Sequence, residues 1–205
     1  MAGLRERQKT LRDRRLVAAA AKRFRSDGYE KTKIEDIAAE AEVSAGTVYN
    51  YYRHKGELLI AVVAMEVHEI LVEGESLVAN PPDTAEEAIN RLITIYLDHS
   101  LIYLSKDNWR HAMAASIAQP DEIFARRYSD FDARLADQTS RLLMALQRKG
   151  AIRRDIDPTL YGRIIFNNTN NQFIGFVKDE DMPLEDLKRD IRDQHATLCD
   201  LLVQN

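Results

Sequence analysis

Apolar residues recur every three or four positions along most of this 205-residue chain, and no stretch alternates with a period of two over a useful length. That pattern predicts helices and no strands. The first helix is expected from about Arg5 to Asp27, with Val17, Ala20, Ala21 and Phe24 on one face and Gly28 as the stop just beyond it. Thr32-Lys33-Ile34-Glu35 has the spacing of a capping box, and Ile34, Ile37, Ala38 and Ala41 continue from it with helical period. Glu42 and Val43 form a tight turn, after which Ser44, a good N-cap, opens a helix of only about seven residues. A basic break at Arg53-His54-Lys55 separates it from a long apolar period running from Gly56 to Val78.

The rest of the chain continues in the same way. Asn80-Pro81-Pro82-Asp83 breaks the pattern, and Thr84 with Glu87 makes a second capping box. A short helix around Trp109 to Ile117 ends at Pro120, and a long one from Asp121 to Lys149 carries Phe124, Tyr128, Phe131, Leu135, Leu142 and Leu146 on one face. Asp157-Pro158 opens a helix to about Lys178, and Pro183 starts the last one. The expectation is an all-α chain of about nine helices with no internal repeat.

The short helix after Ser44 is the most informative stretch. If Val48 and Tyr52, four apart, turn inward, then Ala45, Gly46, Thr47, Tyr49, Asn50 and Tyr51 remain on the outer faces. Small residues let a backbone come close to a partner, and hydroxyl and amide tips bond phosphate oxygens and base edges. With the helix from Thr32 before it, the unit has the size of a helix-turn-helix DNA reader.

Taken together, G-Y-x-x-T from Gly28 and S-x-G-T-x-Y-x-Y-Y-x-x-K-x-E-L from Ser44 resemble the N-terminal domain of the TetR (tetracycline repressor) family of transcription regulators. The resemblance covers roughly the first sixty residues; beyond them only the layout is similar. It implies a three-helix head at 1–55 on a helical ligand-binding and dimerisation body at 56–205. It also implies a homodimer that binds a palindromic double-stranded operator, most simply as a repressor, and is released by a small-molecule effector. Thr47, Tyr49, Tyr51 and Lys55 are the expected phosphate contacts, with Ala45, Gly46 and Asn50 closest to the base edges, Thr32 and Lys33 on the other strand's backbone, and Ser44 also counted among the DNA-binding residues. Two positions depart from the family's commoner residues. Tyr52 stands where Phe is usual and needs a hydroxyl partner, and His54 replaces a Ser or Asn cap, which weakens the next helix start or adds a phosphate contact.

Charge agrees with this division. Residues 1–55 hold 13 Lys+Arg against 8 Asp+Glu, a net of +5, within a chain whose net is −4. The Arg- and Lys-rich start of the first helix is either a solvated basic face or a phosphate contact flanking the site. The lone Cys199, in an apolar helical run, fits a reduced compartment, and no export signal or membrane-length apolar run is present, so a cytoplasmic protein is expected. Catalysis is not expected: H-E-x-x-H, G-x-S-x-G, paired cysteines and phosphate-cradling glycine loops are all absent, and neither a metal nor a cofactor is implied.

Within the body, Tyr96, His99 and Tyr103 form a stripe of rings with polar tips, with Trp109, Met113, Tyr128 and Phe131 on neighbouring helices. These fit either a plain core or a pocket for an apolar or aromatic effector. Asn167, Asn168, Asn170, Asn171 and Gln172 place five amides in mid-helix; Asn167 and Asn171 share a face that lines the pocket or pairs across a dimer interface. By the resemblance, Leu184, Leu187, Ile191, Leu198 and Leu202 are the interface line. The competing possibility is an effector-free DNA-binding or protein-recruiting module with a solid helical body.

Overall fold

The computed structural model describes residues 2–203, the side chains of Ala2, Leu4 and Phe124 excepted, so the place of Phe124 in its apolar line falls outside the described residues. Nine helices and no strand occur among the described residues: α1 (Ala2–Asp27), α2 (Ile34–Glu40), α3 (Ala45–Tyr49), α4 (Lys55–Ala79), α5 (Ala85–His99), α6 (Lys106–Ala118), α7 (Ile123–Lys149), α8 (Pro158–Lys178) and α9 (Leu184–Leu202). Two compact units result. One takes the residues up to Glu66 together with Leu101–Tyr128; the other takes Val67–Ser100 and the residues from Ser129 onward.

In the first unit the helix ends follow from local chemistry. Gly28 sits at φ 80 just past α1, a conformation that costs a residue with a Cβ considerably more. Ser44 Oγ accepts from Thr47 N–H at 3.2 Å and so caps α3. The start of α2 differs from the expectation. Its N-cap is Lys33, whose N–H donates to Asp36 Oδ2 at 3.1 Å, while the Thr32 hydroxyl turns inward to the Gly28 carbonyl at 2.7 Å. The Thr-to-Glu spacing lies one residue ahead of the working Lys-to-Asp pair. His54 proves to be a working cap, its Nδ1 accepting from Glu57 N–H at 3.3 Å.

The second unit packs α9 against α5 and α8. Leu187, Ile191, His195, Cys199 and Leu202 are all buried by the chain's own atoms, at helical spacing along one face of α9. Leu187, Ile191 and Leu202 are therefore core residues, not the dimer interface expected of them; Leu184 and Leu198 are half-buried. An intramolecular seam and an interchain seam produce the same period in sequence.

α7 and α8 cross in this unit at Gly162, where an added Cβ would stand 2.5 Å from the Ser140 Cα. The Thr84 hydroxyl caps α5 and the Asp157 carboxylate caps α8, both as expected. Glu87 reaches Arg91 at 2.7 Å.

Candidate DNA-reading site

The site is built on the α2–turn–α3 element. The turn is made by Glu42 at φ 56, with Val43 N–H donating to the Ala38 carbonyl at 2.9 Å and Glu42 N–H to the Ala39 carbonyl at 3.1 Å. This paired closure fixes the angle at which α3 leaves α2, and it holds a glutamate in the left-handed region usually given to glycine. Val48, fully buried, and Tyr52 anchor the short helix from beneath. The Tyr52 hydroxyl donates to Asp13 Oδ1 at 2.7 Å, so the partner its phenol requires comes from α1. Burial, and then the Asp13 carboxylate, raise the Tyr52 pKa far above the ordinary phenol range and keep that donor protonated.

With Val48 and Tyr52 inside, Ser44, Gly46, Tyr49 and Asn50 are exposed, and Ala45, Thr47 and Tyr51 are half-exposed on the same short segment. Tyr49 is 51% exposed, an aromatic ring left to water by a five-residue helix. Lys33 is exposed at the start of α2. All eight expected residues are exposed or half-exposed along the α2–turn–α3 segment and its flank.

Two expected contacts are assigned elsewhere by the geometry. Thr32 is buried, with its hydroxyl bonded to the Gly28 carbonyl and also 3.2 Å from the Arg23 carbonyl. Lys55 donates its ammonium hydrogens to the carbonyl oxygens of Tyr29 at 2.6 Å, Glu30 at 3.2 Å and Thr32 at 3.2 Å, and its Nζ lies 4.3 Å from the Tyr29 ring centroid. It clasps the loop between α1 and α2 rather than presenting a free charge. Sequence spacing alone could not separate a phosphate-facing lysine from this one.

Ion pairs and carbonyl bonds brace the frame. Glu40 receives Lys22 at 2.5 Å and Arg23 at 3.0 Å, tying α1 to α2; the Lys22 hydrogen bond, and then its charge, hold the Glu40 carboxyl below the usual range. Arg25 donates to the Leu101 and Ile102 carbonyls, and Asn108 Nδ2 to the Phe24 carbonyl at 3.1 Å. The start of α6 is thereby fastened to the end of α1.

The expected ligand residues divide between the units. Tyr103, Trp109, Met113 and Tyr128 belong to the first, with Trp109 buried and the others half-buried. Tyr96, His99, Phe131, Asn167 and Asn171 belong to the second. There Tyr96 is core, its hydroxyl donating to Gln138 Oε1 at 3.0 Å, and Phe131 is buried. His99 Nε2 pairs with Glu73 Oε2 at 2.8 Å. Asn167 and Asn171 are both exposed on α8, and Asn167 lines an open groove against α7 with Asp132, Ser140 and Arg163. Asn168 and Gln172 are half-buried, and Gln172 bonds Gln194 of α9 at 3.0 Å. Cys199 is buried and its thiol is pushed up to about 11, first by burial, which makes it a poor redox sensor. No helix among the described residues is long and apolar enough to cross a membrane, and no group of His, Cys, Asp and Glu side chains there could hold a metal ion.

Known proteins fit this geometry. Residues 16–62 match the family model described as bacterial regulatory proteins, tetR family. An HTH-type transcriptional repressor of Streptomyces coelicolor is 32% identical over 85 residues, the alignment covering 42% of each chain, so less than half of that relative's length is matched. The fatty acid metabolism regulator protein of Bacillus subtilis is 21% identical over 202 residues, 96% of each chain. Among solved structures, a TetR-family regulator from Mesorhizobium loti superposes with a TM-score of 0.74 at 21% identity, covering 95% of this chain and 98% of that one. Thermus thermophilus FadR, solved with lauroyl-CoA, superposes at 0.69 with 23% identity, covering 94% and 96%. The solved structures speak to the fold, and the head match and the relatives speak to the reading element. On these findings residues 16–62 match the reading domain of the tetR family of bacterial regulatory proteins, and the chain shares the fold of solved TetR-family regulators.

Proposed function

We propose that the protein is a DNA-binding transcription repressor that acts as a homodimer on a palindromic operator and is released by a small-molecule effector. The observation that carries this is the exposed face of α3 and its flanks, held from below by Val48 and by the Tyr52–Asp13 bond while Tyr49 and Asn50 remain uncovered. With the helix anchored from below, the ring of Tyr49 and the amide of Asn50 are left free for a partner's phosphates and base edges. In this reading Asn50 suits an adenine edge, Ala45 and Gly46 admit the groove wall, and Thr47, Tyr49, Tyr51 and Lys33 bond phosphates. Two copies related by a two-fold axis would read half-sites about 34 Å apart or a multiple of it.

For the effector, apolar chains carried on a thioester are the first class to test, because relatives of the same fold were solved with lauroyl-CoA and stearoyl-CoA. An effector that lowers operator occupancy a hundredfold must favour the non-binding conformation by about 2.7 kcal/mol. The alternative, a regulator with a solid body, is favoured by Tyr96, whose hydroxyl is already spent on Gln138. Mobility-shift titration on the chain's own upstream DNA tests the first claim. Tyr49→Ala should weaken binding at least about tenfold while leaving the thermal midpoint nearly unchanged, as expected of a half-exposed side chain. Unchanged binding would remove α3 as the reader. Thermal shift with long-chain acyl-CoA tests the second: stabilisation by mass action supports an effector site, and none supports the solid body.

A further inference from the structure

The start of α1 has no structural reason to be where it is. Every residue from Arg5 to Arg12 is exposed, more than two turns of helix with no apolar seam, and Leu11 stands 60% exposed. Arg5, Arg7, Lys9, Arg12, Arg14 and Arg15 supply six cations against Glu6 and Asp13, and Asp13 is already engaged by Tyr52. None of the six makes an ion pair among the described residues, whereas Lys22 and Arg23 further along the helix both reach Glu40. Arg5, Lys9 and Arg12 fall at i, i+4 and i+7 on one flank, and Arg7 and Arg14, seven apart, on the other. Like charges four apart weaken an isolated helix, and an unpacked helix this short is marginal on its own. Such an arm is stabilised by counter-charges on both sides.

We propose that residues 5–15 of α1 form a second DNA-contacting element, a cationic arm that lies along the phosphates beside the half-site read by α3. The placement comes from the Tyr52–Asp13 bond, which puts the root of the arm directly beside the residue that anchors α3. From Asp13 to Arg5 the helix extends about 12 Å, a length over which duplex DNA presents about seven phosphate charges. The arm supplies attachment without sequence, and α3 supplies the reading. This rests on the DNA-binding function proposed above.

The test is the salt dependence of binding to a mixed-sequence 30-base-pair duplex, followed by fluorescence anisotropy of the full chain. Three proteins are compared: the wild type; Arg5→Gln/Lys9→Gln/Arg12→Gln; and Arg148→Gln/Arg154→Gln/Lys178→Gln, which removes the same charge from exposed positions elsewhere. The arm variant should lose about 0.9 in the slope of log K against log salt for each contact removed, and should bind at least tenfold more weakly at 100 mM salt. The second variant should keep the wild-type slope. Circular dichroism and thermal melting confirm that each variant is folded; because the substituted side chains are exposed, melting should be unchanged. Equal slopes for the arm variant and wild type overturn the inference while leaving the function intact. Equal losses in the two variants also overturn it, because net charge alone would then account for the effect. Capture of the wild-type arm by phosphatidylserine vesicles, with duplex binding indifferent to the substitutions, assigns the arm to a lipid surface and overturns it as well. A wild type that binds no duplex refutes the function itself, a distinct result.

Discussion

An ammonium group has three hydrogens to give, and Lys55 gives them to three carbonyls of the loop that joins α1 to α2, those of Tyr29, Glu30 and Thr32. Those carbonyls have no helix to satisfy them, so the lysine acts as a cap on a loop, with the Tyr29 ring under its charge. Lys55→Ala should therefore destabilise the chain by about 2 kcal/mol, read as a lower thermal midpoint. Duplex DNA binding by the folded fraction should keep the wild-type salt slope, which a lost phosphate contact would reduce. His195 makes the opposite kind of demand. It is fully buried between α8 and α9, its Nε2 lies 3.5 Å from the Thr169 hydroxyl, and desolvation lowers its pKa to about 4. Between about pH 6.5 and 4 the unfolded chain takes up a proton that the folded chain refuses. Stability is therefore complete above about 6.5 and falls as the pH drops to about 4, by about 3 kcal/mol in all. Urea midpoints at pH 7.5 and 4.5 should show this loss in wild type and a smaller one in His195→Gln.

Helix starts were legible in the sequence wherever the capping oxygen is short and local, as at Ser44, Thr84 and Asp157. The start of α2 was misread because Thr32 has the right oxygen but uses it on Gly28, while Asp36 reaches back to the Lys33 amide. The face of α9 was misassigned for a different reason: the period of Leu187, Ile191 and Leu202 says that a seam exists and not whose atoms fill it. A third feature, the α7–α8 crossing, left no signal beyond one glycine. At Gly162 a methyl group would meet the backbone of Ser140 at 2.5 Å, and backbone cannot rotate away. Gly162→Ala gains about 1 kcal/mol of helix propensity but forces the two helices apart. The expected net effect is a loss of about 2 kcal/mol in chemical denaturation. Gly175→Ala, on the same helix with nothing within 4 Å of its added Cβ, should instead be neutral or stabilising.

At the scale of the whole molecule, the proposed two-fold partnership needs a surface, and once the α9 line is assigned to the core the outer face of α8 is the candidate. Leu160 and Ile164 stand 53% and 40% exposed there, followed on the same stripe by Asn167, Asn171 and Gly175, all exposed. The stripe carries no charge in a chain that is 30% charged, and each amide is donor and acceptor at once, so it can pair with its own copy across a two-fold axis. Of the two roles the sequence left open for Asn167 and Asn171, pocket or two-fold contact, their exposure favours the second. Ile164→Glu would bring two carboxylates together in that contact, unpaired and losing water. The dimer dissociation constant should rise at least about a hundredfold, equivalent to about 2.7 kcal/mol. Light scattering across a dilution series reads the shift to monomer. The thermal midpoint of the monomer should barely move, because the side chain is exposed there. Operator affinity should fall with dimerisation, since a lone head engages one half-site, and a variant that stays dimeric at wild-type concentrations would place the two-fold contact on another face.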